Sequence, residues 1–117
     1  MAKGLADEVW DTVIGWDFFQ KHTVGKQWVK SADSVAANIS EGYGRFHYKD
    51  SKNFSYFSRG SLSETKIWLE KAHKRNLITD MQFEKLFKEI EIPGKMLNKY
   101  LREIASPQII SHSILSS

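Results

Sequence analysis

Polar residues at helical spacing are the part of this sequence that could bind a ligand or take part in a reaction. The first group, in chain order, is Ser34, Asn38, Glu41 and Arg45. Their spacing of i, i+4, i+7 and i+11 places a hydroxyl, an amide, a carboxylate and a guanidinium along one side of a helix. A second group, Ser61 and Glu64, adds another hydroxyl and another carboxylate. We call these six residues the candidate polar cluster.

Two interpretations of the candidate polar cluster remain open. In the first, its side chains join two helices through hydrogen bonds, because an unpaired buried polar group costs about 1–3 kcal/mol. Ala36, Ala37 and Gly60 are small enough to let two helix backbones approach closely, and Arg45 would order the turn that follows. In the second, the cluster binds an anionic ligand or partner.

Catalytic and metal-binding motifs are weak in this chain. A di-iron site in a helical bundle needs two Glu-x-x-His pairs, and the sequence contains one, Glu70 with His73. No strained turn presents a serine nucleophile. The sequence "GYGR" at residues 42–45 has too few glycines to cradle a phosphate. We therefore expect no enzymatic activity, no metal and no cofactor.

Charge is the uneven feature of the composition. The 117 residues contain no cysteine, which excludes disulfides and thiolate metal sites, and the net charge is +3. Residues 45–75 carry eight Lys or Arg against three Asp or Glu, whereas residues 1–44 carry four against six. No apolar run has the length of a signal peptide or a membrane span. We expect a cytoplasmic protein with no membrane partner, whose basic middle segment suits an anionic partner.

The connection at residues 43–49, "YGRFHYK", mixes aromatic and cationic side chains. Stacking groups and cations together suit single-stranded RNA. The candidate nucleic-acid contacts are Arg45, Lys49, Lys52 and Arg59. In the alternative interpretation, the aromatic side chains pack in the turn or between subunits.

Apolar residues recur at helical spacing in four segments, which predicts an all-α fold. The segments cover about residues 4–20, 24–43, 50–75 and 79–104. Gly25 and the polar residues before it predict the first connection, with Thr23 as the N-cap of the second helix. Asn76 predicts the end of the third helix. Thr79 and Gln82 form a capping-box pattern that opens the fourth.

The apolar period of the fourth segment continues through Pro93 without a shift. Proline removes the backbone hydrogen bond to Glu89 and crowds its carbonyl group. We therefore expect one helix that is kinked at Pro93. The alternative is two helices broken at residues 92–94.

Four amphipathic helices with short connections predict an antiparallel up-down-up-down four-helix bundle. It would form one domain, residues 1–105, followed by a flexible C-terminal tail, residues 106–117. Four tryptophans, four tyrosines and seven phenylalanines exceed what a thin four-helix core encloses. Large aromatic side chains on an outer face are typical of protein–protein surfaces. We therefore expect self-assembly.

Two stretches of the sequence resemble a known family. They are "KQWVKSADSVAANISEGYGR" at residues 26–45 and "NFSYFSRGSLSETKIWLEKA" at residues 53–72. They are similar to four-helix-bundle proteins encoded in intervening sequences of bacterial large-subunit ribosomal RNA genes, and the resemblance covers about residues 5–104. The family motifs fall on Ser34, Asn38, Glu41, Gly42, Gly44 and Arg45, and on Gly60, Ser61, Leu62 and Glu64.

The resemblance implies a left-handed bundle that assembles as a homopentamer, and it gives no indication of an enzymatic activity. Related accessory proteins of diversity-generating retroelements have a basic surface and bind a reverse transcriptase and nucleic acid, but this chain is much less basic. We expect an oligomeric binding or scaffold protein that associates with RNA or a ribonucleoprotein. The alternative is a protein-only adaptor for a polymerase or reverse transcriptase.

Overall fold

The computed structural model describes residues 4–43 and 48–105, and within them the side chains of residues 4–38 and 56–103. The described residues form four helices and no strand, which confirms the predicted all-α class. Helix α1 covers Leu5–Val13, and α2 consists of the consecutive segments Phe18–Gln20, Lys21–Gly25 and Lys26–Tyr43. Helix α3 covers Tyr48–Lys74, and α4 covers Asp80–Ala105.

The boundary between α1 and α2 differs from the prediction. Helix α1 ends at Val13 and α2 begins at Phe18, so the predicted connection at Gly25, with Thr23 as N-cap, is wrong. The N-cap is Asp17, whose Oδ1 accepts a hydrogen bond from the Gln20 N–H at 3.0 Å. A carboxylate at this position satisfies one of the free N–H groups of the first turn.

A π-helical turn, Lys21–Gly25, interrupts the α-helical geometry of α2. The Thr23 hydroxyl donates to the Phe19 carbonyl at 2.7 Å, and a threonine hydroxyl that bonds the carbonyl four residues earlier often bends a helix. Gly25 is buried there, and a Cβ atom on it would lie 2.6 Å from Val13 Cγ1. The absence of a side chain at Gly25 therefore allows α1 to contact α2.

The turn between α3 and α4 follows the local sequence signals. Asn76 has φ of 61°, the left-handed conformation that asparagine tolerates better than most residues. The Thr79 Oγ1 accepts from the Gln82 N–H at 3.1 Å, and Gln82 Oε1 accepts from the Thr79 N–H at 2.9 Å. These reciprocal bonds confirm the predicted capping box.

Helix α4 continues from Asp80 to Ala105 with Pro93 inside it. The alternative of two helices broken at residues 92–94 is therefore wrong. The apolar residues on both sides of Pro93 belong to one stripe, and Leu86, Ile90 and Leu101 along it are buried.

The core lies where α2 and α3 pack along each other, with α4 against α3 and α1 against α2 and α4. Trp28, which is fully buried, stacks on Trp16 with ring centroids 5.9 Å apart. The remaining buried apolar residues include Val9, Val13, Val24, Ala32, Val35, Leu62, Leu69, Ala72, Ile78, Leu86 and Ile90. Helix stripes of this kind bury apolar surface, which is the main force that holds the helices together.

Candidate functional site

The first half of the candidate polar cluster lies on α2. The Ser34 hydroxyl donates to the Lys30 carbonyl at 2.9 Å, and Asn38 Nδ2 donates to the Ser34 carbonyl at 2.8 Å. Both bonds stay within α2, and Asn38 is half-buried. The side chains of Glu41 and Arg45 lie outside the described residues.

The second half of the cluster lies on α3. Glu64 is exposed, and the Ser61 carbonyl accepts a hydrogen bond from the Thr65 hydroxyl at 2.7 Å. No hydrogen bond within the described part of the chain connects Ser34 or Asn38 to Ser61 or Glu64. The hydrogen bonds of Ser34, Asn38 and Ser61 given above stay inside their own helices.

The small residues do not have the predicted role in helix contact. Ala36 and Ala37 are exposed. A Cβ atom on Gly60 would meet nothing within 4 Å among the described residues. The expectation that these three residues let two helix backbones approach closely is therefore wrong, because each lies on an open face.

A buried hydroxyl pair links α2 and α3 instead. The hydroxyls of Ser31 and Thr65 lie 3.0 Å apart, and both residues are buried. Ser31 Oγ is also 3.0 Å from the Trp28 carbonyl, its hydrogen-bond acceptor within α2. The Thr65 hydroxyl also lies 2.7 Å from the Ser61 carbonyl of its own helix. Each hydroxyl has one proton, so two protons serve three contacts: one between the two hydroxyls and one from each hydroxyl to a carbonyl of its own helix. Sequence reasoning missed this pair, although both residues lie beside the apolar stripes.

Arg59 is the candidate nucleic-acid contact whose side chain the structure describes. It is exposed, its guanidinium carbon lies 5.0 Å from the centre of the Tyr56 ring, and its Nη1 donates to Asn98 Oδ1 of α4 at 3.4 Å. The side chains of Arg45, Lys49 and Lys52 lie outside the described residues. Arg59 thus connects the basic middle segment of the sequence to the last helix.

The Arg59 side chain lines a groove between α3 and α4, with a cavity of about 200 Å³. We call it the α3–α4 groove. Its lining is Arg59, Leu62, Ser63, Lys66, Ile90, Glu91, Gly94, Lys95 and Asn98. Leu62 and Ile90 are buried and form an apolar floor, whereas the polar side chains stand at the rim. The rim carries three cations and one carboxylate, an excess of positive charge.

Two of the rim cations have described partners. Lys66 Nζ lies 3.3 Å from Glu91 Oε1 and 5.0 Å from the centre of the Phe87 ring. Arg59 reaches Asn98, as described above. Lys95 is exposed and forms no ion pair within the described residues. Lys95 and Asn98 were absent from the sequence-based candidates, because no local pattern connects α4 to a residue 39 positions earlier.

Other kinds of site are not evident in the described part of the chain. No three His, Asp or Glu side chains there come close enough together to hold a metal ion. Among the same residues, no helix is both long and apolar enough to span a membrane.

Comparisons with known proteins agree with the helical architecture. A crystal structure at 1.70 Å of a protein of unknown function from the S23 ribosomal protein family of Bacteroides thetaiotaomicron superposes with a TM-score of 0.68. The two chains are 22% identical over 84% of this chain and 98% of that one, which shows a shared fold. No curated protein matches the chain.

A family model supplies the more specific match. The model for the 23S rRNA-intervening sequence protein matches residues 1–99, which is most of the chain and includes both stretches that carry the resemblance. The chain belongs to the 23S rRNA-intervening sequence protein family.

Proposed function

We propose that this chain is a non-enzymatic, oligomeric binding or scaffold protein of the cytoplasm, whose client is RNA or a ribonucleoprotein. The observation that supports this most is the α3–α4 groove, where Arg59 of the basic segment stands beside Lys66 and Lys95. Phosphate groups dominate nucleic-acid affinity, and clustered cations are what they require.

Single-stranded RNA is the form of nucleic acid that fits best. The Arg59 guanidinium and the Tyr56 ring stand together at the surface, 5.0 Å apart. Unpaired bases stack on aromatic rings and guanidinium planes, whereas bases in a duplex are hidden from such contacts. Arg45, Lys49 and Lys52 precede this pair in the chain and would extend the same contact.

The proposed assembly is a homopentamer of left-handed, antiparallel up-down-up-down bundles, with α4 kinked at Pro93 and residues 106–117 as a flexible tail. Its support is the apolar surface that one copy leaves open. Among the described side chains, the large apolar ones with more than half of their surface exposed are Trp10, Ile14, Phe18, Phe19, Phe57, Ile67, Met81, Ile92 and Met96. Surfaces of this kind typically mark protein contacts.

Assembly matters for RNA binding because the net charge of one chain is only +3. A ring would repeat the cationic patch, and linked patches bind a polyanion far more tightly than one patch does. Light scattering of the full chain tests the assembly. A folded monomer at micromolar concentration would contradict it.

RNA affinity across a salt series tests the client. The parent chain is compared with a Lys49/Lys52/Arg59→Glu variant, and the control variant Lys21/Lys26/Lys30→Glu makes the same charge change on α2. We expect the first variant to lose most of its affinity and to show a smaller salt dependence, because fewer phosphates are neutralised. Equal binding by parent and first variant, or no binding by the parent at low salt, would refute the RNA proposal.

A protein-only adaptor for a polymerase or reverse transcriptase is the second candidate. It is favoured by an apolar row on α4, where Ile92, Met96 and Tyr100 follow one another at intervals of four residues and stay exposed. Amphipathic helix faces with this spacing serve as anchors for protein partners. Recovery of the tagged chain from its native cells, followed by identification of RNA and protein, separates the candidates. A co-purifying polymerase without RNA would favour the adaptor.

A further inference from the structure

We propose that the α3–α4 groove seats a single phosphate group of the RNA backbone, and that Glu91 competes with this phosphate for the rim cations. This inference rests on the proposed function, because it assigns the phosphate to RNA. It adds to that function a defined position for one phosphate, formed in part by Gly94, Lys95 and Asn98 of α4. It also adds Glu91 as a carboxylate of the same chain that competes with the phosphate.

The size of the groove selects the ligand group. Pockets that enclose a drug-sized ligand measure about 300–1,000 Å³, and this cavity measures about 200 Å³. It is too small to enclose a nucleotide. A phosphate group, with sugar and base left outside, fits the available space and the charge of the rim.

The rim cations approach the cavity from both helices. Arg59 and Lys66 come from α3, and Lys95 comes from α4. The bond from Arg59 to Asn98 is long, at 3.4 Å, and both residues are exposed, so the guanidinium can turn toward a ligand with little loss. Asn98 and Ser63 offer neutral hydrogen-bond donors beside the cations.

Glu91 supplies the carboxylate at the rim of the groove. Its carboxylate lies 3.3 Å from Lys66 Nζ, and the side chains of Lys66 and Glu91 are 38% and 34% exposed. An arriving phosphate would face this carboxylate as a like charge and would share Lys66 with it. Neutralising Glu91 should therefore strengthen binding, whereas neutralising Lys95 should weaken it.

Gly94 keeps the cavity open. A Cβ atom there would make an ordinary van der Waals contact with Leu62 Cδ2 at 3.5 Å, so the packing of α3 on α4 does not require glycine. Glycine inside a helix is unfavourable relative to alanine. A larger side chain at residue 94 would project into the space that the phosphate needs.

The test measures binding of a short oligouridylate to the full chain across a salt series, with inorganic phosphate as a second probe. The variants are Glu91→Gln, Lys95→Gln and Gly94→Met. Matched controls on α2, outside the groove, are Asp33→Asn for the first and Lys30→Gln for the second. Circular dichroism establishes that each variant is folded, and Gly94→Leu replaces the methionine variant if that variant is not.

For Glu91→Gln we expect oligouridylate affinity to rise about two- to fivefold over the Asp33→Asn control, a range set by the strength of exposed ion pairs. For Lys95→Gln we expect weaker binding and a salt slope smaller by about 0.7, the value for one phosphate of a single strand. Gly94→Met should weaken binding of both probes without any change in charge.

Three results would overturn the groove assignment. One is a Glu91→Gln variant that binds no better than Asp33→Asn. Another is a folded Gly94→Met variant, or its leucine substitute, that binds phosphate and oligouridylate like the parent. The third is an effect of Lys95→Gln equal to that of Lys30→Gln. If these occur while Lys49/Lys52/Arg59→Glu still abolishes RNA binding, the proposed function stands and the groove assignment falls. Binding of inorganic phosphate without binding of oligouridylate would overturn RNA as the ligand in both the proposed function and the groove assignment.

Discussion

Substituting Gly25 by alanine should destabilise the protein, although alanine is the better helix former. Gly25 is buried in the π turn of α2, and the added Cβ would lie 2.6 Å from Val13 Cγ1 and 3.2 Å from the Gln20 carbonyl oxygen. Val13 is only 5% exposed, so its methyl group has little room to move. Overpacking of this kind costs about 1–3 kcal/mol.

The same substitution elsewhere in the chain isolates that packing effect. A Cβ atom on Gly60 would meet nothing within 4 Å among the described residues, and one on Gly94 would make only an ordinary contact at 3.5 Å. Both glycines lie inside helices, so alanine should stabilise the fold at each by about 1 kcal/mol. Because this propensity gain is common to all three sites, Gly25→Ala should be less stable than Gly60→Ala by about 1–3 kcal/mol.

Urea denaturation of the parent and the three alanine variants measures these free energies. Val13→Ala combined with Gly25→Ala provides a double-mutant cycle, because it removes the methyl group that the new Cβ would strike. We expect the pair to be less destabilising than the sum of the two single changes. A Gly25→Ala variant at least as stable as Gly60→Ala would refute the argument that glycine is needed for contact between α1 and α2.

Four further substitutions test other contacts by the same denaturation measurement. Ser31→Ala and Thr65→Val should each lower stability by about 1 kcal/mol and together by about 2 kcal/mol, since each removes one donated hydrogen bond. A double variant whose loss differs strongly from this sum would contradict the argument that each hydroxyl contributes one donated bond. Asn38→Ala should cost about 1 kcal/mol, because it removes the bond to the Ser34 carbonyl, and unchanged melting with lost ligand binding would instead make Asn38 a binding residue. Pro93→Ala should raise stability by up to about 3 kcal/mol, and a loss would show that the uninterrupted helix requires proline there.

Features set by neighbours in the chain were predictable. The capping box of Thr79 and Gln82, the stop at Asn76 and the continuous α4 each depend on residues within a few positions of one another. The connection between α1 and α2 was not predictable, because Gly25 and the polar residues before it have the composition of a loop. What distinguishes the two cases is the contact of Gly25 with Val13, which a sequence pattern does not contain.

The residues of the candidate site also fall into those that local sequence predicts and those that it does not. Arg59 could be chosen from the charge of its segment, and its side chain lies at the surface as that choice requires. Its neighbours Lys95 and Asn98 come from a different helix, and the buried pair Ser31 and Thr65 is separated by 34 positions. Such partners are brought together by helix packing, and one sequence without its fold has no signal that connects them.

The π turn at Lys21–Gly25 also has a consequence for chain length. A π turn contains one residue more than the α-helical path between the same two points. Deleting one residue from this segment would restore regular α-helix while α1 and the long downstream part of α2 kept their orientation. Natural relatives that are one residue shorter between Asp17 and Trp28 are therefore compatible with the same core. Alignments of the family should accept a single-residue gap here, inside a helix, where gaps are otherwise rare.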